Sequence, residues 1–287
     1  MHIIQILLLP LLLMYTSCEQ EKKTTLKEYS VEKRHILPET IQETSGIIRY
    51  NNLIWTFNDS GGKPEIYGFN LSKDSIEQTI KIKDAINEDW EDIAQDENYI
   101  YLGDFGNNQG TRDSLVVYKI AKAAIPQHGN ASVTSEKIVF SYPGYEPVKV
   151  PTSWSAFDCE AFVVSKETLF LFSKNWTNGT STVYSLPAKP GKYQAKKLNN
   201  WNTEGLVTGA DLQDNRLIII GYSSFVPFIV QFPAGDIRSI SYKNGKRYDL
   251  TELSTYQTEG ICYDGKNILI SSEKTRSPAQ IIELKLN

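Results

Sequence analysis

Five acidic residues stand in similar company along the chain: Glu43 in ETSGIIRYNNLIWTFND, Glu91 in WEDIAQDENYIYLGD, Glu160 in DCEAFVVSKETLFLFSK, Asp211 in GADLQDNRLIIIGY and Glu259 in TEGICYDGKNILISSEK. Each precedes a short apolar segment, a polar turn, and a run dense in Ile, Leu, Tyr and Phe. If folding gathers these carboxylates at one place they repel one another, and they stay ionised only where a cation, basic side chains or backbone amides compensate. Three chemistries follow. Oxygen donors alone suit a hard cation, with calcium the first choice and Glu43, Glu91, Glu160, Asp211 and Glu259 as its ligands; no EF-hand spacing is present. Two acids about 5 to 9.5 Å apart, or a metal with an open position, would allow hydrolysis. The third role is structural: an acid capping the amides at a strand head and holding one repeat to the next.

The spacing of these anchors says what must position them. They lie 48, 69, 51 and 48 residues apart, and periods near 45 to 50 with four strands per unit are those of propeller blades. Third strands read at EIYGFNL, SLVVYKI, STVYSLP, PFIVQFP and AQIIELKL, and fourth strands at SIEQTIKI, SEKIVFSYP, YQAKKLN and IRSISYK. The long second interval contains the insertions AKAAIPQHGNAS and PGYEPVKVPTSWSAF. The expectation is an all-β, five-bladed propeller, with six blades as the alternative. EYSVEKRHIL at 28 to 37 is placed as the outer strand of the last blade, which closes the ring and removes an open edge.

In such a blade the head of the first strand and the loop between the second and third strands share one face. The anchors therefore surround one mouth of the central channel, beside the loops NDSGGKPE, GDFGNNQGTRD, SKNWTNGTS, GYSSFVP and SEKTRSPA. The opposite turns RYNN, QDEN, SKET, QDNR and YDGK are short and generic. Function concentrates on loops held by a rigid scaffold. The ligand-binding set predicted at the mouth is thus Glu43, Asp59, Glu91, Asp104, Glu160, Lys174, Trp176, Asp211, Tyr222, Glu259 and Glu273. Asn107, Asn108, Lys274 and Arg276 stand on the same loops, and Trp154 and Phe157 are placed as an apolar wall. GDFG has no phosphate loop to accompany it, and His35 and His128 lie away from every anchor, which argues against a kinase, a histidine triad or a zinc site.

Residues 3 to 14, IIQILLLPLLLM, form an apolar run too short to span a bilayer comfortably, followed by YTSC. The segment resembles a bacterial lipoprotein signal, with residues 1–18 ending at a lipidated Cys18, although Tyr15 stands where an aliphatic residue is usual. Residues 19–27 read as a tether and 28–287 as one propeller domain, periplasmic or anchored to the outer membrane by lipid alone. Cys159 and Cys262 sit beside strand heads of nonadjacent repeats and are expected as free buried thiols. A net charge of -4 without a basic stripe argues against nucleic acid.

The series ETSG, NDSG, DWEDIA, GDFGNN, DCEA, TGAD and TEGI, from about Glu43 to the C-terminus, resembles that of exported bacterial β-propeller proteins, loosely similar to phytase-like esterase propellers. The resemblance implies the fold more than an activity, and it carries no catalytic residue onto this chain. Calcium phytases are similar in using clustered acids, and five-bladed glycosidases in placing acids at the channel mouth. The function expected is a monomeric envelope protein binding a small molecule, glycan, peptide or protein partner. The alternative is a calcium-dependent phosphoesterase or glycosidase using the acidic ring.

Overall fold

The computed structural model describes residues 28–151, 154–265 and 267–287. The expected signal peptide, Cys18 and the tether lie outside the described residues. The chain starts with β1 (Tyr29–Ile36) and then builds blade one from β2 (Ile48–Tyr50), β3 (Leu53–Thr56), β4 (Glu65–Asn70) and β5 (Ser75–Ile82). Blade two consists of β6 (Trp90–Gln95), β7 (Tyr99–Asp104), β8 (Leu115–Ala121) and β10 (Glu136–Ser141), with β9 (Ala131–Val133) between the last two in sequence. Blade three holds β11 (Asp158–Ser165), β12 (Thr168–Lys174), β13 (Ser181–Pro187) and β15 (Lys196–Trp201), with β14 (Gly191–Gln194) before its last strand. Blade four is β16 (Leu206–Gln213), β17 (Arg216–Ser223), β18 (Val226–Gln231) and β19 (Lys246–Asp249). Blade five is β20 (Thr258–Asp264), β21 (Asn267–Ser272) and β22 (Gln280–Leu286), completed by β1.

The molecule is therefore a five-bladed β-propeller. β1 pairs antiparallel with β22 from Tyr29↔Leu286 to Ile36↔Gln280, so the N-terminal strand closes the ring. His35 reinforces that closure: buried in β1, it meets Asp74 of the β4–β5 turn at 2.5 Å and Glu283 of β22 at 3.0 Å. The first strands β2, β6, β11, β16 and β20 pack on one another around the axis.

Strand periodicity explains how one blade fills two gaps, since successive side chains point to opposite faces. In β3, Trp55 joins Trp90 and Tyr118 between blades one and two, while Ile54 joins Leu269 and Ile281 between blades five and one. In β12, Leu169 and Leu171 face blade two, while Phe170 and Phe172 face blade four. Cys159 and Cys262 are free and buried in separate gaps. The generic turns adopt left-handed pairs suited to twisted hairpins: Asn51 and Asn52 have φ of 52° and 62°, and Asp214 and Asn215 have 52° and 58°.

Two local expectations are corrected. The segment IRSISYK is not the fourth strand of blade four: the Asp236 side chain accepts from the Arg238 amide and starts a 3-10 turn at Ile237–Ser239, so the strand forms later, at Lys246–Asp249. YQAKKLN is divided between two blades. β14 pairs parallel with β10 of blade two, and only the following β15 belongs to blade three. β9 does the same one blade earlier, covering the edge of β5.

Candidate functional site

Each first strand begins with a break in its ladder. In blade two the pairing skips Glu91, between Trp90↔Asp104 and Asp92↔Gly103; in blade three it skips Glu160, between Cys159 and Ala161. Blade four skips Thr208 and blade five Glu259 with Gly260. In blade one the bridge Thr44↔Asn58 and the pair Ile48↔Trp55 leave Ser45 at the matching place. A bulge bends its strand and re-aims a side chain, and Ser45, Glu91, Glu160 and Glu259 all line one cavity of about 470 Å³ at the channel mouth.

This register corrects the matching of Glu43 and Asp211 to the other anchors, because the bulge marks the equivalent position and the acidic residue type does not. Glu43 is exposed, two residues before Ser45, and does not line the cavity. Asp211 lies three residues beyond Thr208, where its carboxylate accepts the Tyr263 amide of blade five at 2.8 Å. Asp92 acts alike, accepting the Ile93 amide at 2.8 Å and the Phe162 amide of blade three at 3.0 Å. Asp92 and Asp211 thus tie one blade to the next, which leaves the bulged glutamates free of that duty.

Asp59, Lys174, Trp176 and Tyr222 reach the cavity as well. Asp104 does not: it accepts the Asp89 amide at 3.1 Å and pairs with Arg112 at 2.8 Å, which orients Asp89 from below. Arg112 also donates to the Gly106 carbonyl at 2.9 Å. Gly106 is pressed so closely on Glu91 and Asp89 that a Cβ there would collide with both carboxylates. Glu273 stands outside the lining but within the field of Glu259 and Asp59. Lys274 turns away to Glu39 at 3.1 Å, and Phe157 packs into the core against Tyr142 and Tyr145.

Two residues outside the predicted set complete the acidic floor. Asp59, Asp89 and Glu91 each offer an oxygen within 4.8 Å of the others, and so do Glu91, Asp158 and Glu160. Asp158 is held rigidly, accepting the Asn107 amide at 2.8 Å, the Cys159 amide at 3.1 Å and the Trp176 indole at 2.7 Å. Glu160 takes the Lys174 ammonium, which lies 4.6 Å from the Trp176 ring centre and 5.3 Å from that of Tyr222. Glu91, shared by both groups, is only 8% exposed, and no donor or basic side chain among the described residues pairs with its carboxylate. Asp158 escapes a motif search because the acid-before-apolar pattern selects Glu160, two residues later. Asp89 is visible in the sequence only as part of an acidic cluster.

Burial, then Asp89 and Glu259, push Asp59 up to about 7; burial and Asp158 push Asp89 to about 6, with Arg112 opposing. Burial and then Glu259 and Asp59 push Glu273 to about 9. Glu91 is raised well above the ordinary range by burial and then Glu160. For Lys174, burial disfavours the ammonium, but Glu160 and Glu259 outweigh it and hold the charge.

These shifts have a defined sign. Folded acids with raised pKa bind protons that the unfolded chain releases, so their contribution is complete below about 4 and is lost as pH rises through about 6, 7 and 9. Melting in chelator should therefore be highest in mild acid and fall towards pH 9, each proton taken up on folding adding a slope of about 1.4 kcal/mol per pH unit. A stability that instead rises over that range would contradict the raised values.

No protein-family model matches the chain, and no curated protein matches it in sequence. Solved structures do share its fold. The PQQ-bound aldose sugar dehydrogenase from Streptomyces coelicolor is similar with a TM-score of 0.53 at 8% identity, over 90% of this chain and 98% of that one. The galactose complex of an exo-β-1,3-galactanase from Phanerochaete chrysosporium gives 0.52 at 12% identity, over 89% of this chain and 64% of that one. At such identities the likeness is one of architecture.

Proposed function

We propose that the chain is a ligand-binding propeller of the bacterial cell envelope, whose channel mouth takes a hard divalent cation, calcium in the first place, and through it an oxygen-rich partner. The observation that carries this reading is the unpaired, buried carboxylate of Glu91 between two groups of acids. Calcium holds its oxygens at about 2.4 Å, so two oxygens on one calcium are at most about 4.8 Å apart. Within each group of three the oxygens lie within 4.8 Å of one another, inside that limit. Either triad, Asp59 and Asp89 with Glu91 or Asp158 and Glu160 with Glu91, would hold the ion, with the open side of the cavity left to a ligand. The envelope location rests on the apolar segment before Cys18, and the mass of the mature N-terminal peptide checks its lipidation.

A ligand that binds only the folded state stabilises it by about 2.7 kcal/mol at a hundred times its Kd. For a domain of this size that is roughly 5 to 10 °C. Calcium added to metal-free protein should raise the melting midpoint by that amount, and an unchanged midpoint up to millimolar calcium would sink the cation reading. Turnover of a glycoside or phosphoester that one floor acid abolishes would replace binding by hydrolysis.

A further inference from the structure

Among the described residues the exposed large apolar side chains are Ile36, Ile86, Val148, Val150, Trp154 and Phe225. The strand directions put all of them on one face. Ile36 ends the outermost strand of blade five, Ile86, Val148, Val150 and Trp154 stand ahead of first strands, and Phe225 caps the β17–β18 hairpin. Each of these places is on the face that carries the mouth. Scattered exposed apolar residues need no explanation, but their restriction to the face that carries the acidic cavity is a pattern.

Phe225 is held there against local preference. The hairpin turns on Ser224 and Phe225, both left-handed with φ of 49° and 67°, where Asn-Gly is the usual solution. A bulky residue in that conformation is a steric outlier, and such outliers gather at functional sites. Phe225 is 85% exposed and lines the cavity, so neither packing nor folding accounts for it. Nearby, Trp154 is 60% exposed and meets Trp176 edge-on with ring centres 5.3 Å apart. Trp176 is in turn fastened to the acidic floor through its indole bond to Asp158. Two exposed aromatic faces therefore extend the site outward from a polar floor.

We infer that the mouth binds a neutral glycan chain, one sugar in the cavity with its hydroxyls towards the cation and carboxylates, and further units against Trp154 and Phe225. This rests on the cation reading given above. A volume of about 470 Å³ is within the roughly 300–1,000 Å³ of small-ligand pockets, and aromatic faces lying beyond it serve only a ligand that continues out of it. The chain is neutral because the floor carries several carboxylates against one lysine and the divalent ion, which repels an anionic polymer. Pyranose rings combine apolar C–H faces for the aromatic residues with hydroxyls for the floor.

The test is calorimetric titration of the calcium-loaded protein with cello-, xylo- and chito-oligosaccharides of one to six units, with polylysine as a cationic competitor. In one series Kd should fall at least tenfold from the monosaccharide to the tetrasaccharide. Trp154→Ala and Phe225→Gly should each remove most of that gain. Phe225→Gly relieves the left-handed turn, so it should melt no lower than the native protein and keep the calcium response. Equal affinity for one and six units, no binding in any series, or preference for polylysine would overturn the glycan inference while calcium still raised the midpoint. Loss of the calcium response in the native protein would instead remove the reading beneath it.

Discussion

Lys174→Met should cost about 3 to 5 kcal/mol in calcium-free buffer, the usual consequence of removing one partner of a buried ion pair. Lys174 and Glu160 are both buried and in contact, and Glu259 adds a second carboxylate to the field on the ammonium. Methionine keeps an unbranched chain against Trp176 and Tyr222, so the change isolates the charge. At about 2 to 4 °C per kcal/mol the midpoint should fall by roughly 6 to 20 °C. Adding Glu160→Gln to the same protein should restore most of the loss, because the stranded carboxylate is then gone. Calcium should also narrow the gap, since a divalent ion beside Glu160 supplies the missing positive charge. A loss below about 1 kcal/mol would mean that the pair is effectively solvated, as exposed ion pairs are.

Glu91→Gln should abolish the calcium-induced rise in midpoint, since it removes the one carboxylate shared by both acidic groups. Its effect without calcium should have the opposite sign to that of an ordinary core mutation. Glu91 is buried and repelled by Glu160 and Asp59, and no described group compensates it, so the amide should leave the metal-free protein as stable or more stable. Asp92→Ala, one residue along, supplies the contrast. It deprives the buried Phe162 amide of its acceptor and should cost about 1 to 3 kcal/mol while the calcium response persists. Denaturant unfolding with and without calcium separates the two. An unaltered calcium shift in Glu91→Gln would move the ion elsewhere or remove it.

The adjacency of Glu91 and Asp92 shows why a sequence reads this site only in part. Both are buried acids at one strand head, and composition cannot tell the one that ties two blades from the one aimed into the channel. The ladder break at Glu91 turns its side chain to the axis, whereas Asp92 resumes the pairing and meets a neighbouring amide. Equivalence by residue type selects Glu43 and Asp211; equivalence by register selects Ser45 and Thr208. Asp158 and Phe225 gain significance only from their neighbours, the one from the Trp176 indole and the other from its left-handed turn.

What the sequence determined by itself was the ring. Strand-length apolar runs at a period near 48 residues, separated by polar turns, must bury two faces each, and stacking blades around an axis does this while the segment at 28 to 37 seals the last edge. The same pattern determined which loops share the mouth, and so brought Asp59, Glu91, Glu160, Lys174, Trp176, Tyr222 and Glu259 into one set that the cavity gathers. Tertiary structure decided the rest: the exchange of β9 and β14 between blades, the bulge register, and the pairing of Lys174 with Glu160 that leaves Glu91 alone. Periodicity reports which face of a strand is buried. Which carboxylate finds a partner depends on distances of a few ångströms between Lys174 and Glu160 of one blade and Glu91 of the neighbouring one, and only the closed ring sets those.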